Sequence, residues 1–258
     1  MDMHSTLSKL KNNEITIEEA EKQLRITNFE ILSDIARIDI HRAKRIGIPE
    51  AVIADCKTCE EVVSIARVHL KKEGRVIITR VPEEIYNALR SLADELKANI
   101  RWSTKGKVAA IGDKTKKTGG IVGVISAGTA DIPVAEEAKM IAEEMGCSVT
   151  TIYDVGAGGI HRLFPELTKL VEAGVDAVVV AAGREGTLPT IVSGLIDVPV
   201  IGVPVSTGYG AGGKGKAALL SMLQSCSVLT VVNIDAGFVA GAFAARIANK
   251  NAKNRMEY

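Results

Sequence analysis

The chain has 258 residues, 47% of them apolar, enough to bury one large core or two small ones. Its 32 lysines and arginines balance 31 acidic residues to a formal net charge of +1, and the basic residues are dispersed, so nothing suggests a nucleic-acid or membrane surface. Four cysteines at irregular spacing make no disulfide framework, the N-terminal segment lacks an apolar signal region, and no run of about 18 uncharged apolar residues occurs; the expectation is a soluble cytoplasmic protein.

Along the chain, residues 17–24 and 59–72 carry helical periodicity, the second with Val62, Val63, Ala66 and Leu70 on one face. Val76-Ile-Ile-Thr79 reads as a strand. Pro82 then sits where a first helical turn accepts it, ahead of Ile85, Leu89, Leu92 and Leu96. These elements predict a small α/β accessory domain over residues 1–111. Cys56 and Cys59 form a single CxxC without a second pair, which reads as incidental. The polar run Gly112-Asp-Lys-Thr-Lys-Lys-Thr-Gly-Gly120 reads as a linker.

Composition changes across that linker. Only 4 of the 24 glycines precede Gly119, and glycine permits positive φ and close backbone approach to a ligand, so a site is expected in residues 121–258. There, apolar runs at 121–125, 149–153, 177–181, 200–203 and 229–234 fit strands buried on both faces. Helical stretches lie between them, the clearest at 133–145 with Pro133 in its first turn and Gly146 just past its end. Regular alternation predicts a five-stranded parallel sheet in a three-layer αβα arrangement.

In such sheets ligands bind beyond the carboxyl ends of the strands. Those ends carry Ser126, Gly128, Thr129 and Asp131; Asp154 and Gly156; Gly183, Glu185 and Gly186; Ser206 and Gly208; and Asp235. Asp131 could equally be the N-cap of the Pro133 helix, and Glu185 a solvated loop glutamate. The basic pair His161-Arg162 follows a glycine run at a helix start and suits a phosphate or carboxylate. Gly208-Tyr-Gly-Ala-Gly-Gly213 matches G-x-G-x-x-G by spacing but follows the fourth strand rather than the first, and Gly215 stands where a P-loop needs a hydroxyl. With Lys214 and Lys216, the loop suits phosphate binding or is a mobile surface loop. By position, Cys147 reads as core and Cys226 as a structural thiol.

The strand ends resemble the PurE family of aminoimidazole ribonucleotide carboxylases and mutases. The similarity is carried by Ser126-Ala-Gly-Thr-Ala-Asp-Ile-Pro-Val134, Gly159-Ile-His-Arg-Leu163 and Val198-Pro-Val-Ile-Gly-Val-Pro204. PurE places a catalytic histidine before Leu-Pro in a Gly-rich loop, where this chain has Thr187 ahead of Leu188-Pro189. The LarB family, pyridinium-3,5-biscarboxylic acid mononucleotide synthases, is matched more closely. That pattern includes Tyr153-Asp-Val-Gly, Ala182-Gly-x-Glu-Gly186, Gly208-Tyr-Gly-Ala211, Ser225-Cys226 and Val232-Asn-Ile-Asp235, with Arg184 where Met is common.

The LarB resemblance implies a flavodoxin-like catalytic domain over 121–258. It implies carboxylation of nicotinic acid adenine dinucleotide with CO2 and hydrolysis of its phosphoanhydride. The products are the biscarboxylated mononucleotide and AMP, on the route to a nickel-pincer nucleotide. It casts Cys226 as nucleophile and Glu185 as the group that removes the ring proton. His161, Arg162, Lys214 and Lys216 are then expected to hold phosphates or the nicotinate carboxylate. It implies magnesium for anhydride cleavage, no tightly bound organic cofactor, and a homo-octamer. The small residues Gly237, Ala240, Gly241, Ala244 and Ala245 would permit close helix packing, between subunits or within one. Two rival readings are a PurE-type purine enzyme and a non-catalytic nucleotide-binding module.

Overall fold

The computed structural model describes residues 3–24, 30–32, 36–39 and 42–256. The chain divides into two units, Met1–Ile100 with Ala110–Asp113, and Arg101–Ala109 with Lys114–Tyr258.

The first unit begins with helices α1 (Met3–Lys11) and α2 (Ile17–Leu24), an antiparallel pair β1 (Glu30–Leu32) and β2 (Ala36–Ile38), and a short α3 (Arg42–Ile46). Strand β3 (Ala51–Ile53) then leads to α4 (Cys59–Glu73), β4 (Arg75–Thr79) and α5 (Glu83–Glu95), with β3 and β4 parallel. A capping box starts α4: Thr58 Oγ1 accepts from the Glu61 amide at 3.2 Å, and the Glu61 carboxylate accepts from the Thr58 amide at 2.7 Å. Left-handed Gly74, φ 72°, ends it. Val62, Ile65 and Ala66 of α4 and Ile85, Leu89 and Leu92 of α5 are buried. The helices at 17–24 and 59–72 and the strand at 76–79 are where periodicity placed them. Strands β5 (Ile100–Ser103) and β6 (Val108–Gly112) were not anticipated; β6 reads Val-Ala-Ala-Ile-Gly, too short and alanine-rich to signal a strand. Cys56 and Cys59 are both free and exposed.

The second unit is built on strands β7 (Ile121–Ser126), β8 (Ser148–Ile152), β9 (Ala177–Ala182), β10 (Val200–Pro204) and β11 (Thr230–Val231). They form one parallel sheet in the order β11-β10-β9-β7-β8, the flavodoxin-like αβα arrangement. The connecting helices are α6 (Ile132–Glu144), α7 (Leu163–Glu172), α8 (Leu188–Ser193) and α9 (Lys216–Leu223), with α10 (Gly237–Met256) after β11. Central β9 is buried at every residue, which is why its Ala-Val-Val-Val-Ala-Ala run is continuous rather than alternating. The apolar run at 229–234 yields only a two-residue edge strand. Its backbone still follows the ladder, with the Val232 amide donating to the Gly202 carbonyl at 3.1 Å and the Asp235 amide to the Pro204 carbonyl at 2.9 Å.

Two features close this unit. Helix α10 lies backbone-to-backbone on α6: a Cβ on Gly241 would sit 2.3 Å from the Ala138 carbonyl oxygen, and one on Gly237 2.5 Å from that of Val134. Those glycines of the small-residue stripe therefore serve packing within the subunit. The second is buried Asp176 before β9. It accepts from the Ile121 amide at 2.8 Å and is forked by the Arg255 guanidinium of α10. Among the described residues no helix is long and apolar enough to cross a membrane.

Burial pushes the Asp176 carboxyl up, but Arg255 and the Ile121 amide outweigh it and hold it below the usual carboxylate range. A depressed native pKa stabilises the fold above the unfolded value of about 3.9 and ceases to do so as pH falls through the native one. Arg255→Met is expected to lower unfolding free energy at pH 7, with the deficit shrinking below about pH 4 as Asp176 becomes protonated in the unfolded chain. Denaturant titrations of both proteins at pH 7 and pH 3.5 check this.

Candidate active site

Strand order reverses between β7 and β9, where the loops after these strands part to opposite sides of the sheet. A cavity of about 520 Å³ opens at this place, in the range of small-molecule sites. Its wall takes Gly128, Thr129 and Asp131 from the β7 loop, Asp154 and Gly156 from the β8 loop, Gly183, Arg184, Glu185 and Thr187 from the β9 loop, and Thr207 and Tyr209 from the β10 loop.

Asp131 organises this wall. It is 5% exposed, and its carboxylate accepts from the Gly128 amide at 2.9 Å, the Thr207 hydroxyl at 3.0 Å and the Gly183 amide at 3.1 Å. It precedes α6 but makes no side-chain cap there; its oxygens are spent on three different loops. Burial pushes its carboxyl above the usual range against the pull of those donors, and the Glu185 charge adds to the push. Gly183 is required at the junction, because a Cβ there would lie 2.3 Å from Thr207 Oγ1 and 2.9 Å from Asp131 Oδ1.

The other expected residues fall into distinct places. Buried Ser126 lies beneath the rim, its hydroxyl accepting from the Asp154 amide at 3.3 Å. Arg162 pairs with Asp154 at 2.8 Å, an exposed ion pair that a ligand can displace at little cost. His161, on the Ala157–Arg162 3-10 turn, is exposed and does not line the cavity. Gly186, φ 65°, turns the chain into α8, with Ala218 backbone 2.7 Å from where its Cβ would be. Asp235 accepts from the Ser206 amide at 2.9 Å, tying the β11 and β10 loops together away from the cavity wall. In the glycine loop, Gly213 and Lys214 donate backwards to Gly210 and Gly208, and Lys214 and Lys216 are exposed outside the cavity.

Glu185 is exposed on the wall, and its side chain makes no hydrogen bond or ion pair among the described residues. Cys226 is also exposed but lies elsewhere. It precedes β11 by four residues, after α9 has carried the chain back from the rim, and its neighbour Ser225 accepts from Thr190 Oγ1 at 3.0 Å on α8. Cys226 is not among the residues that line the cavity with Glu185. Sequence reasoning did not single out Thr207, and no spacing rule marks a threonine between Ser206 and Gly208 as the partner of a carboxylate 76 residues earlier.

Residues 121–257 match the AIR carboxylase family. The chain belongs to the AIR carboxylase family. Residues 29–112 match the LarB/PurE-like N-terminal domain, and the pairing of the two is the signature of the LarB branch. An uncharacterized protein of Methanocaldococcus jannaschii is 40% identical over 96% of this chain and 97% of its own. N5-carboxyaminoimidazole ribonucleotide mutases are similar over part of this chain. That of Pyrococcus horikoshii is 33% identical over 44% of this chain and 63% of its own, and that of Thermotoga maritima 32% over 49% and 73%. A family function of the carboxylase and mutase type follows.

Among the described residues no three His, Cys, Asp or Glu side chains converge, so the side chains make no all-protein magnesium cage. The cavity's carboxylates outside the Asp131 junction are Asp154, whose exposed pairing with Arg162 a ligand can displace, and Glu185; magnesium would rest on these together with substrate phosphates and water.

Asp131→Asn keeps the shape but sets an NH2 group against at least one of the three donors. It is expected to cost about 2 kcal/mol of unfolding free energy, the penalty of a buried donor left unmet. Denaturant unfolding measures this; an unchanged midpoint would show that the junction is not a constraint.

Proposed function

We propose that this member of the AIR carboxylase family carboxylates the pyridinium ring of nicotinic acid adenine dinucleotide and hydrolyses its phosphoanhydride, giving the 3,5-biscarboxylated mononucleotide and AMP. The observation that carries the reading is the cavity's β9 loop. It presents Glu185, which makes no hydrogen bond or ion pair among the described residues, and it holds Thr187 where the PurE resemblance expects a histidine. A wall with no histidine among its described residues does not suit the PurE proton transfer and does suit a carboxylate base.

The chemistry is redox-neutral. A pyridinium carbon is electrophilic and cannot attack CO2. Addition of the Cys226 thiolate at ring C4 makes an enamine whose C5 is nucleophilic, and C5 forms the new bond to CO2. Glu185 takes the C5 proton, the enamine reforms, and expulsion of the thiolate from C4 restores the aromatic ring with one hydrogen replaced by carboxylate. Water supplies the hydroxyl in the separate anhydride cleavage that releases AMP.

Because Cys226 lies outside its own cavity, this reading requires a second subunit to present the thiol. A homo-oligomer, with the octamer of PurE relatives as its form, supplies that geometry. The decisive assay is mass spectrometry of products from nicotinic acid adenine dinucleotide, bicarbonate and magnesium, with carboxyaminoimidazole ribonucleotide as the competing substrate. Cys226→Ser is expected to abolish product while changing stability by less than about 0.5 kcal/mol, since the site is exposed. Glu185→Gln is expected to slow turnover roughly 100-fold and to accumulate a cysteine-linked pyridine detectable by intact mass. Mixing the two variants under exchange conditions is expected to raise activity well above that of either alone by pairing an intact thiol with an intact carboxylate. Full turnover by folded Cys226→Ser protein would remove the covalent mechanism.

A further inference from the structure

Two of the loops that meet at the cavity are fixed to one another at their base. The Asp131 carboxylate accepts from the Gly183 amide at 3.1 Å and from the Thr207 hydroxyl at 3.0 Å, and the Val205 amide donates to the Ala182 carbonyl at 3.0 Å. One residue beyond Gly183 stands Arg184, and two beyond Thr207 stands Tyr209; both line the cavity. There the loops touch a second time. The Arg184 guanidinium carbon lies 5.0 Å from the centre of the Tyr209 ring, and Nη1 donates to the Tyr209 hydroxyl at 3.1 Å. Two arms with a common root are joined again at their tips.

The segment held by this second contact is poor at keeping its own shape. Four of the six residues from Gly208 to Gly213 are glycine, which loses more backbone freedom on ordering than any other residue. Its internal bonds are few: the Gly213 amide donates to the Gly210 carbonyl at 3.1 Å, and the Lys214 amide to that of Gly208 at 3.4 Å. Among the described residues, the Tyr209 hydroxyl makes the one side-chain hydrogen bond from this segment to the rest of the rim. Tyr209 is 75% exposed, so parting the contact leaves both groups in water. A segment with few bonds and an exposed tether belongs to the low-stability end of a fold. Arg184 holds a left-handed φ of 47°, which a non-glycine residue keeps only where its surroundings impose it. Methionine, common here in the LarB pattern, offers neither charge nor donor, so the tie belongs to this chain rather than to the shared pattern.

We infer that Arg184 and Tyr209 form a latch that holds the glycine segment 208–213 closed at the cavity mouth, and that its release gates entry to the cavity. The Asp131 junction is the fixed end of the hinge, and the guanidinium–phenol contact is the part that opens. The inference concerns access, and it stands or falls whichever nucleotide the cavity takes.

Hydrogen–deuterium exchange of the full-length protein without ligand, read at the Gly213 and Lys214 amides, tests the latch. Arg184→Met and Tyr209→Leu are each expected to speed exchange there about five- to thirty-fold, the combined scale of an exposed cation–π contact and one hydrogen bond. Tyr209→Phe keeps the ring face and loses the hydroxyl, and is expected to fall between. The double variant is expected to exceed either single one by less than about two-fold, because both remove the same contact. The Val205 amide at the root is expected not to change. Entry is read separately with Thr187→Cys, a thiol on the cavity wall, labelled by a bulky maleimide and followed by peptide mass spectrometry; adding Arg184→Met is expected to speed labelling. Exchange at Gly213 and Lys214 that is unprotected in wild type, or unchanged in the variants, overturns the latch. Faster exchange that spreads to Val205 also overturns it, since the substitutions then loosen the whole rim. Exchange that quickens while Thr187→Cys labelling does not overturns the gate.

Discussion

A single buried carboxylate sets the conditions for everything at the strand ends. Asp131 has almost no water, and an ionised carboxylate so placed is tolerable only if its oxygens are met by well-aimed donors. The donors come from three loops, so the β7, β9 and β10 loops must adopt one mutual arrangement or leave a charge stranded. The requirement propagates outward. Gly183 has to be glycine, Thr207 has to turn its hydroxyl inward, and the two residues after Gly183 are delivered to the cavity with their directions already set. Pre-organisation of this kind lets a reacting group act without first being ordered.

The architecture was legible because burial on both faces of a parallel sheet writes long Val/Ile/Ala runs, and such runs survive without an alignment. All five strands in the second unit lie where those runs are. The fifth, an edge strand, has only one neighbour and shrinks to two residues, a difference hydrophobicity alone does not signal. The small first-unit elements were mostly silent, because strands of three residues such as β3 carry too few positions for a period to emerge. At the site, glycine enrichment pointed to the right loops but not to the right side chains. Nothing local marks Thr207 as the partner of Asp131, and none of the basic residues that looked apt for an anion lines the cavity, whereas Arg184, which the sequence did not single out for it, does.

The rim is also where the backbone leaves ordinary conformations. Asp154, Arg184, Lys214 and Asp235 all have positive φ, and each sits just past a strand or at the entry to α9. Aspartate tolerates this region better than arginine or lysine because its short polar side chain can bond to nearby backbone, although Asp235 instead accepts from the Ser206 amide, 29 residues earlier in the chain. Strain of this kind persists only where surrounding contacts over-determine it, and here the Asp131 junction and the closed glycine loop provide those contacts.

The contact between α6 and α10 has a consequence for how the chain reaches this state. Gly241 and Ala138 meet with no room for a methyl group, yet they lie about a hundred residues apart in sequence, with four of the five strands' worth of chain between or beside them. Closing such a long loop is entropically costly, and the reward arrives only when the last helix is available. On a ribosome, α6 must wait with its packing face bare until almost the whole second unit has emerged. That interval leaves the α6 packing face exposed while the rest of the unit is made, the condition under which a nascent chain is prone to aggregate.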